Sequence, residues 1–389
     1  MRILIAPDKF KGTLNASEVA ENIAAGLCEV LPDAEVDIVP MADGGEGTAE
    51  VISSALGASW LKCKAHDPLG REIEAQYGWI ENRKLAVMEM SEAAGMRRLQ
   101  PNEYNVDLAN TFGVGEMILD AAKRGAQQII IGLGGSATND GGFGMARSLG
   151  FQFLDRDDGK LDCFKRSSLQ ELERIERPPD LRLGQIIAAV DVKNPLLGEN
   201  GATRVFGPQK GATPDQIKVL ESALTKLADV VAAQFGFDYR DKPGAGAAGG
   251  LGFGLMSFCG ATIRPGFDVV AESVGLEAKM KDVDLIITGE GSLDRQTLEG
   301  KTPAGVARLA RKLGKRVFAM VGRATEDRQA RELFDGVYQN ARVGMSQEEN
   351  MKRASELLRE NARQLAEDLK KTLNAQRLTS NEQGRFRSN

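Results

Sequence analysis

Short apolar runs rich in β-branched residues alternate with segments of helical periodicity along much of the chain. These runs predict buried strands at residues 2–6, 36–40, 284–288, 315–321 and 336–340. Residues 346–373 place apolar side chains on one face and predict a long amphipathic helix. Alternation of strands and helices indicates an α/β fold. Because the five strands come from both ends of the chain, we expect one doubly wound parallel sheet with the middle of the chain inserted between its two parts.

The segment 60–90 has a different pattern, since apolar and polar residues alternate along it. Its turn signals divide it into short strands, which predicts antiparallel hairpins at the start of a second domain. We therefore predict a first domain formed by residues 1–60 plus 281–375 and an inserted α/β domain, residues 61–280, that contains mixed and antiparallel strands. The final residues, 376–389, are rich in Arg, Ser, Asn and Gln and are expected to be disordered.

A glycine-rich turn follows the apolar run that begins at Ile129. Gly134 and Gly135 lead into Ser136, and the sequence becomes helix-like only after Gly142. Such a turn lets backbone N–H groups crowd around an anion at a helix N-terminus, where the helix dipole adds positive potential. The segment therefore predicts an anion loop suited to phosphate, although glycine turns after strands also occur without any ligand.

A dinucleotide-binding fingerprint is the alternative interpretation of the same turn. Gly132, Gly134 and Ala137 fit the pattern G-x-G-x-x-A, and Asp155 follows a short strand about twenty residues later. In that motif the helix begins within the glycines, so the two further glycines at 141–142 would lie inside it. Each would cost the helix about 1 kcal/mol relative to alanine. We therefore favour a longer anion loop over a dinucleotide turn.

Composition argues against nucleic acid and anionic lipid as partners of this chain. With 50 basic and 55 acidic side chains among 389 residues, its net charge of −5 gives no general attraction to nucleic acid or anionic lipid. The four cysteines are far apart and form no C-x-x-C pair, so neither a zinc site nor a disulfide framework is expected. The N-terminal segment does not resemble an export signal, and no run of about eighteen apolar residues occurs. We expect a cytoplasmic protein that does not span a membrane.

Carboxylates and lysines recur in the loops that follow the predicted strands. The loop 41–48 holds two acids among three glycines and can coordinate hydrated magnesium, which prefers one or two carboxylates plus phosphate oxygens. Together the loops carry Lys9, Lys11, Asp43, Glu46, Asp140, Asp191, Glu290, Asp294 and Lys301. This set suits phosphoryl transfer, in which positioning and charge neutralisation supply most of the catalysis. The residues alone indicate a two-domain phosphotransferase or a small-anion binder.

Ten motifs, in their order along the chain, resemble those of the bacterial glycerate kinases of the glycerate 2-kinase type. They are PDKFKG, MADGGEGT, HDPLG, EMSEAAG, TFGVGE, GGSATNDGG, DVKNPLLG, FGPQKGAT, GAAGGLGFG and TGEGSLD, and they lie within residues 1–345. The resemblance implies ATP-dependent phosphorylation of D-glycerate, typically at the 2-hydroxyl. It also implies a flavodoxin-like domain built from both chain ends that encloses a second α/β domain. The chain departs from the family pattern at Lys193, where the family often has aspartate, and in residues 162–168, which lack the usual glycines.

On this resemblance we expect the strand-end loops to bind ATP, Mg²⁺ and D-glycerate. The expected phosphate cradle consists of Gly134, Gly135, Ser136, Thr138, Asn139, Asp140 and Gly141. The expected magnesium ligands are Asp43 and Glu290, and the expected substrate contacts are Lys11, Lys210 and Asp294. Asp191 would orient or deprotonate the glycerate hydroxyl, and Lys9 would offset charge on the transferring phosphoryl group.

Two other functional classes fit parts of the sequence. A nicotinamide-dependent oxidoreductase would use the fingerprint glycines together with Asp155. A non-catalytic two-domain protein would bind a small acid without turning over ATP. The sequence by itself selects neither the acceptor hydroxyl nor the oligomeric state.

Overall fold

The computed structural model describes residues 1–162, 164–295, 297, 300–325 and 327–386. Its strands are β1 (Arg2–Ile5), β2 (Glu35–Ile38), β3 (Ser59–His66), β4 (Glu72–Ile80), β5 (Leu85–Glu89), β6 (Gln128–Gly132), β7 (Gln152–Leu154), β8 (Arg174–Glu176), β9 (Gln185–Val190), β10 (Thr262–Pro265), β11 (Leu285–Leu293), β12 (Arg316–Ala324) and β13 (Gly336–Gln339). Its helices are α1 (Ala16–Val30), α2 (Thr48–Leu56), α3 (Ser91–Ala94), α4 (Phe112–Lys123), α5 (Phe143–Ser148), α6 (Ala202–Phe206), α7 (Pro214–Phe235), α8 (Ala247–Cys259), α9 (Gly266–Ser273), α10 (Leu276–Lys281), α11 (Thr302–Lys312), α12 (Arg328–Arg331), α13 (Gln347–Lys352) and α14 (Ala354–Phe386). The chain forms two compact units, of which unit 1 contains Met1–Ala42 and the residues from Val274 onward, and unit 2 contains Asp43–Ser273.

Unit 1 is built on a parallel sheet with the strand order β13-β12-β11-β1-β2. Numbered within this sheet alone, the order is 2-1-3-4-5, which is the flavodoxin arrangement. The central strands β1 and β11 pair through apolar residues. Ile3, Ile5 and Ile287 on these strands are buried in one hydrophobic core with residues of α1 and α14. The predicted flavodoxin-like sheet from both chain ends is therefore confirmed.

Unit 2 is built on a mixed sheet with the strand order β10-β9-β6-β5-β4-β3. The strands β3, β4 and β5 pair antiparallel, as the alternating pattern predicted, whereas β5, β6, β9 and β10 pair parallel. A separate antiparallel ribbon joins β7 to β8. The parallel half matters for function, because the carboxyl ends of its strands share one edge.

The structure differs from the sequence prediction at two boundaries. The first domain was expected to run to residue 60, but helix α2 belongs to unit 2. The reason is that the buried face of α2, which includes Val51 and Ile52, packs against β4 and β5. The second boundary falls at Ser273 instead of residue 280.

Helix α14 continues to Phe386, so helical backbone covers most of the segment 376–389 for which disorder was expected. That segment contains no proline to end the helix.

The described cysteines are unlinked thiols. Cys28, Cys63 and Cys259 are free, and Cys163 lies outside the described residues. Burial raises the pKa of both Cys63 and Cys259 to about 12, which keeps these thiols protonated and unreactive. Within the part of the chain that the structure describes, no helix combines the length and the apolar character needed to span a bilayer.

Candidate active site

The first group of candidate residues lies where the strand order of unit 1 reverses. Doubly wound sheets bind ligands outside the carboxyl ends of their strands at this switch point, which here lies between β1 and β11. The loop after β1 carries Lys9, which is half-buried, and Lys11, which is exposed. Glu290 lies on β11 and Asp294 follows that strand directly. Four residues predicted from the sequence therefore share the switch point of unit 1.

Glu290 lies within a strand, although the sequence placed it in the loop after one. The reason is that β12 continues to pair with β11 as far as Leu293, opposite Ala324. The prediction ended the strand at the glycine before Glu290, but this glycine stays in the sheet and approaches β12 closely, since a Cβ on Gly289 would lie 2.2 Å from the Met320 carbonyl oxygen. The carboxylate is thereby held on the rigid sheet and not on a loop.

Two carboxylates are buried at this point: Glu290 lies on β11, and Asp8 lies in the loop that follows β1. The Asp8 N–H donates to the Gly289 carbonyl at 2.8 Å, which continues the β1–β11 register and sets Asp8 opposite Glu290. Asp8 is 7% exposed and Glu290 is 8% exposed. The Thr302 hydroxyl donates to Asp8 Oδ2 at 2.6 Å, and the Thr297 hydroxyl donates to Glu290 Oε1 at 2.6 Å. Buried carboxylates need such partners, so both side chains are fixed in direction.

Three of these residues, Asp8, Thr297 and Thr302, were not among the expected site residues. Asp8 could have been found, because it occupies the same loop as Lys9, directly after a predicted strand. The two threonines gave no signal, since their role depends on contacts with residues distant in sequence.

Lys301 forms the N-cap of α11 beside them, with its Nζ 3.9 Å from Glu290 Oε2. The switch point therefore combines two oriented carboxylates with positive charge.

The second group of candidate residues lies at the carboxyl edge of the parallel strands of unit 2. Strands β6 and β9 are neighbours, with Gly132 opposite Ala189, so the glycine-rich loop after β6 and Asp191 after β9 leave the sheet side by side. Asp191 is exposed. Asp43 belongs to the loop before α2, in which the Gly45 N–H donates to Asp43 Oδ1 at 3.2 Å. This second group therefore contains Asp43, Asp191 and the predicted phosphate loop.

The glycines of these loops permit very close backbone packing. A Cβ on Gly134 would lie 2.4 Å from the Gly45 Cα, and a Cβ on Gly44 would lie 2.9 Å from the Ala189 carbonyl carbon. The loop that carries Asp43 is thus pressed against both the loop after β6 and the end of β9. Side chains at these glycines would separate the three segments, which explains why the motif requires glycine.

The second glycine-rich run of the sequence packs on the first. At the start of α8 the residues Ala248, Gly249 and Gly250 have left-handed backbone angles and interrupt the helix. A Cβ on Gly249 would lie 1.9 Å from the Thr138 carbonyl oxygen, and one on Gly254 would lie 2.7 Å from the Gly142 Cα. The helix after this run is therefore closely packed against the loop that follows β6.

The carboxylate of Asp140 binds backbone groups of the protein itself, although Asp140 was expected to form part of a phosphate cradle. It is fully buried, and its carboxylate accepts hydrogen bonds from the N–H groups of Thr111, Gly142 and Gly144 and from the Thr111 hydroxyl, at 2.8 to 3.1 Å. It therefore takes the position at the start of α5 that a phosphate would need. Gly141 likewise donates its N–H to the Gly249 carbonyl at 3.0 Å. Both residues have structural roles here.

The earlier part of the loop keeps its binding capacity. Among the residues that the structure describes, the backbone N–H groups of Gly134, Gly135, Ser136, Thr138 and Asn139 donate to no backbone carbonyl. Gly134 and Gly135 are partly exposed. Of the expected phosphate cradle, the backbone N–H groups of Gly134, Gly135, Ser136, Thr138 and Asn139 are therefore without a backbone acceptor in the described part of the chain.

Lys210 is directed into this loop from the interior of unit 2. It ends a short 3₁₀ helix, Pro208–Lys210, and is only 2% exposed. Its Nζ donates to Ser136 Oγ and to the Thr138 carbonyl oxygen, both at 2.7 Å. Burial lowers the pKa of Lys210 to about 7, against an opposing effect of the Asp140 charge. The lysine therefore contacts the loop itself.

The dinucleotide interpretation finds no support in this geometry. Helix α5 begins at Phe143, after the second glycine pair, so the turn is longer than a dinucleotide fingerprint. Asp155, the candidate ribose ligand, accepts hydrogen bonds from the N–H groups of Asp157 at 2.9 Å and Gly159 at 2.8 Å. Its carboxylate thus stabilises a turn next to β7.

The described residues contain no group of three or more His, Cys, Asp or Glu side chains that could hold a metal ion by themselves. Magnesium does not require such a cage, because it usually binds one or two carboxylates plus substrate phosphates and water. The carboxylates of Asp8 and Glu290 are hard oxygen donors of the kind that this mode uses. Of the two expected ligands, Glu290 belongs to unit 1 and Asp43 to unit 2.

Comparison with known proteins gives a consistent result over nearly the whole chain. A model of the glycerate kinase family matches residues 3–370. A glycerate kinase from Halalkalibacterium halodurans is 40% identical over 369 residues, covering 94% of this chain and 97% of its own length. The glycerate 2-kinase of Escherichia coli K12 is 42% identical over 330 residues, covering 84% and 86%. The crystal structure of a Salmonella typhimurium LT2 protein proposed to be glycerate kinase 2 matches with a TM-score of 0.83 and 39% identity, covering 96% of this chain and 99% of that one.

Proposed function

The chain belongs to the glycerate kinase family and is therefore a kinase, and on this premise we propose that it transfers the γ-phosphoryl group of ATP to the 2-hydroxyl of D-glycerate. The choice of the 2-hydroxyl is supported by the relative from Escherichia coli, which is named glycerate 2-kinase. The use of ATP with magnesium is supported by one observation above all. This is the pair of oriented, buried carboxylates beside lysines at the switch point of unit 1.

We propose Glu290 and Asp8 as the magnesium ligands of unit 1, and we retain Asp43 as the proposed ligand of unit 2. Bound magnesium would neutralise charge on the phosphate oxygens. Thr297 and Thr302 would keep the carboxylates aimed, because each threonine hydroxyl already occupies one carboxylate oxygen. Since a carboxylate oxygen has two acceptor positions, these hydrogen bonds leave room for a metal ion.

The remaining proposed roles follow the charges of the side chains. Asp191 orients the glycerate hydroxyl and takes its proton, and Lys9 offsets negative charge on the transferring phosphoryl group. The N–H groups of Gly134, Gly135, Ser136, Thr138 and Asn139 hold phosphate oxygens, whereas the Ala137 N–H already donates to the Ala94 carbonyl. Lys11 and Asp294 contact the substrates, Lys11 through its positive charge and Asp294 by accepting hydrogen bonds from hydroxyl groups.

The proposed reaction is tested by incubating the protein with Mg²⁺, ATP and D-glycerate. ADP is expected to form only when D-glycerate is present, and phosphorus NMR is expected to show 2-phosphoglycerate. Formation of 3-phosphoglycerate would overturn the choice of hydroxyl while leaving the kinase activity intact. Binding of glycerate without ADP formation would instead identify a non-catalytic acid-binding protein.

The role of the switch point is tested by Thr302→Val, which removes a hydroxyl at nearly constant volume. Asp8 keeps the hydrogen bond from the Lys9 N–H to Oδ1 but loses the donor that orients Oδ2, and we expect kcat/KM to fall by about 10- to 100-fold. The concentration of Mg²⁺ needed for half-maximal activity should rise in parallel. Steady-state kinetics at several Mg²⁺ concentrations measures both effects.

Thr372→Val is the matched control, because Thr372 is exposed on α14 and its hydroxyl donates to the Asp368 carbonyl of the same helix. It should leave the kinetics unchanged. Equal kinetics for the two variants would show that the Thr302 hydroxyl does not support the reaction.

A further inference from the structure

Lys210 fixes the hydrogen-bonding role of the Ser136 hydroxyl. A protonated lysine has three N–H donors and no acceptor, so its hydrogen bond to Ser136 Oγ at 2.7 Å runs from nitrogen to oxygen. The second donor goes to the Thr138 carbonyl at 2.7 Å. Because Ser136 Oγ already accepts from the lysine, its own proton must point elsewhere.

No acceptor for that proton is found among the described residues. Ser136 is 7% exposed, so its hydroxyl is largely cut off from bulk water. Two polar atoms of the next residues, Thr138 Oγ1 and Asn139 Oδ1, are buried and also lack a hydrogen-bond partner in the described part of the chain. Buried polar atoms are nearly always paired, so the loop has hydrogen-bonding capacity that the protein does not use. An anionic oxygen of a bound molecule would use the hydroxyl donors, whereas Asn139 Oδ1 is itself an acceptor and takes no part in binding an anion.

We propose that Lys210 is a positioning residue that turns the Ser136 hydroxyl outward, so that Ser136 donates a hydrogen bond to an anionic oxygen of a bound substrate. This inference rests on the proposed function, since that oxygen belongs either to a phosphate of ATP or to the carboxylate of glycerate. It changes the expected role of Lys210, which acts on the substrate through Ser136 and not by direct contact.

The proposed arrangement has a definite pH dependence. While Lys210 is protonated, the serine proton is free for the ligand, because the ammonium group cannot accept it. Once Lys210 loses its proton, its nitrogen gains a lone pair, and the serine can turn inward and donate to it. Because burial lowers the pKa of Lys210 to about 7, with Asp140 as the charge acting on it, ligand binding should weaken as the pH rises above neutrality.

The test uses Ser136→Ala, Lys210→Arg and Lys210→Met in the full chain. Binding of a non-hydrolysable Mg²⁺-ATP analogue and of D-glycerate is measured separately by calorimetry between about pH 6 and pH 9, on either side of the lysine pKa of about 7. Ser136→Ala should weaken the binding of one ligand by roughly tenfold or more, which identifies the oxygen that Ser136 contacts. Lys210→Arg should keep tight binding and lose the pH dependence, since arginine stays charged.

Lys210→Met should weaken the same ligand, and adding it to Ser136→Ala should change the affinity by less than about threefold, because both act through one hydroxyl. Lys218→Met is the matched control, since Lys218 lies exposed on α7 and pairs with Asp215 at 3.0 Å. Should Lys210→Met fail to fold, the serine and arginine variants still decide the question.

The inference is wrong if Ser136→Ala binds both ligands as the wild type does, or if Lys210→Arg keeps the wild-type pH dependence. Turnover of the wild type tests the proposed function independently of these binding measurements. Binding without turnover would overturn the kinase reaction alone. Absence of binding by the wild type would overturn both.

Discussion

Asp191→Asn is expected to lower kcat for glycerate phosphorylation by about 10²- to 10⁴-fold. Asparagine has nearly the same shape and can still accept a hydrogen bond, but it cannot take the proton of the acceptor hydroxyl. The KM values of both substrates should change little, because Asp191 is exposed at the end of β9 and the substitution removes charge without disturbing a core. Steady-state kinetics as a function of pH measures the effect, and the acidic limb of the kcat profile should disappear in the variant.

Asp215→Asn is the control for the change of charge, since Asp215 is also exposed and lies in the same unit, at the start of α7. It should leave kcat at the wild-type value. If Asp191→Asn retained wild-type turnover with an unchanged pH profile, Asp191 would not be the base.

Asp140→Ala is expected to have the largest effect on stability. The substitution leaves the N–H groups of Thr111, Gly142 and Gly144 and the Thr111 hydroxyl without their acceptor in a fully buried place. We expect the free energy of unfolding of unit 2 to fall by about 3–5 kcal/mol. Asp140→Asn, which retains one acceptor oxygen, should cost about 1.5–3 kcal/mol.

The sequence offers a convenient way to observe this effect. Both tryptophans, Trp60 and Trp79, lie in unit 2, so urea unfolding followed by tryptophan fluorescence reports on that unit. Asp155→Asn is the control, because Asp155 holds a partly exposed turn beside the ribbon β7–β8. It should cost less than about 1 kcal/mol. A loss for Asp140→Ala no larger than for Asp155→Asn would contradict the structural role.

The sheet of unit 1 could be predicted because its strands carry strong local signals. Runs such as 2–6 and 284–288 are short, apolar and bounded by turn residues, and only a parallel sheet buries such strands on both faces. Placing strands from both ends in one sheet then followed from their shared pattern. The location of charged loops at the carboxyl edges followed from the same strands, because the loops are their immediate continuations.

The direction of side chains within those loops could not be predicted. The sequence shows Asp140 as one more acid in a glycine loop, and whether the start of α5 is open to phosphate depends on Thr111, which is distant in sequence. Lys210 poses the same difficulty, since its distance from Ser136 in the sequence conceals their contact. Helix α2 was assigned to the wrong unit for a related reason, as its amphipathic pattern shows that one face is buried but not against which sheet.

The discontinuity of unit 1 determines the order in which the protein can fold during synthesis. Strand β1 lies between β2 and β11, and the Arg2 N–H is bonded to Asp284, 282 residues further along the chain. Unit 2 is continuous, so all of its strands have left the ribosome while β1 still lacks β11. During this time the apolar strand β1 has one unpaired edge. Pairing β1 with β11 closes a very long loop, which is slow. Unit 2 is therefore the part that can fold first. The switch-point residues come together only when β11 has been synthesised and has paired with β1.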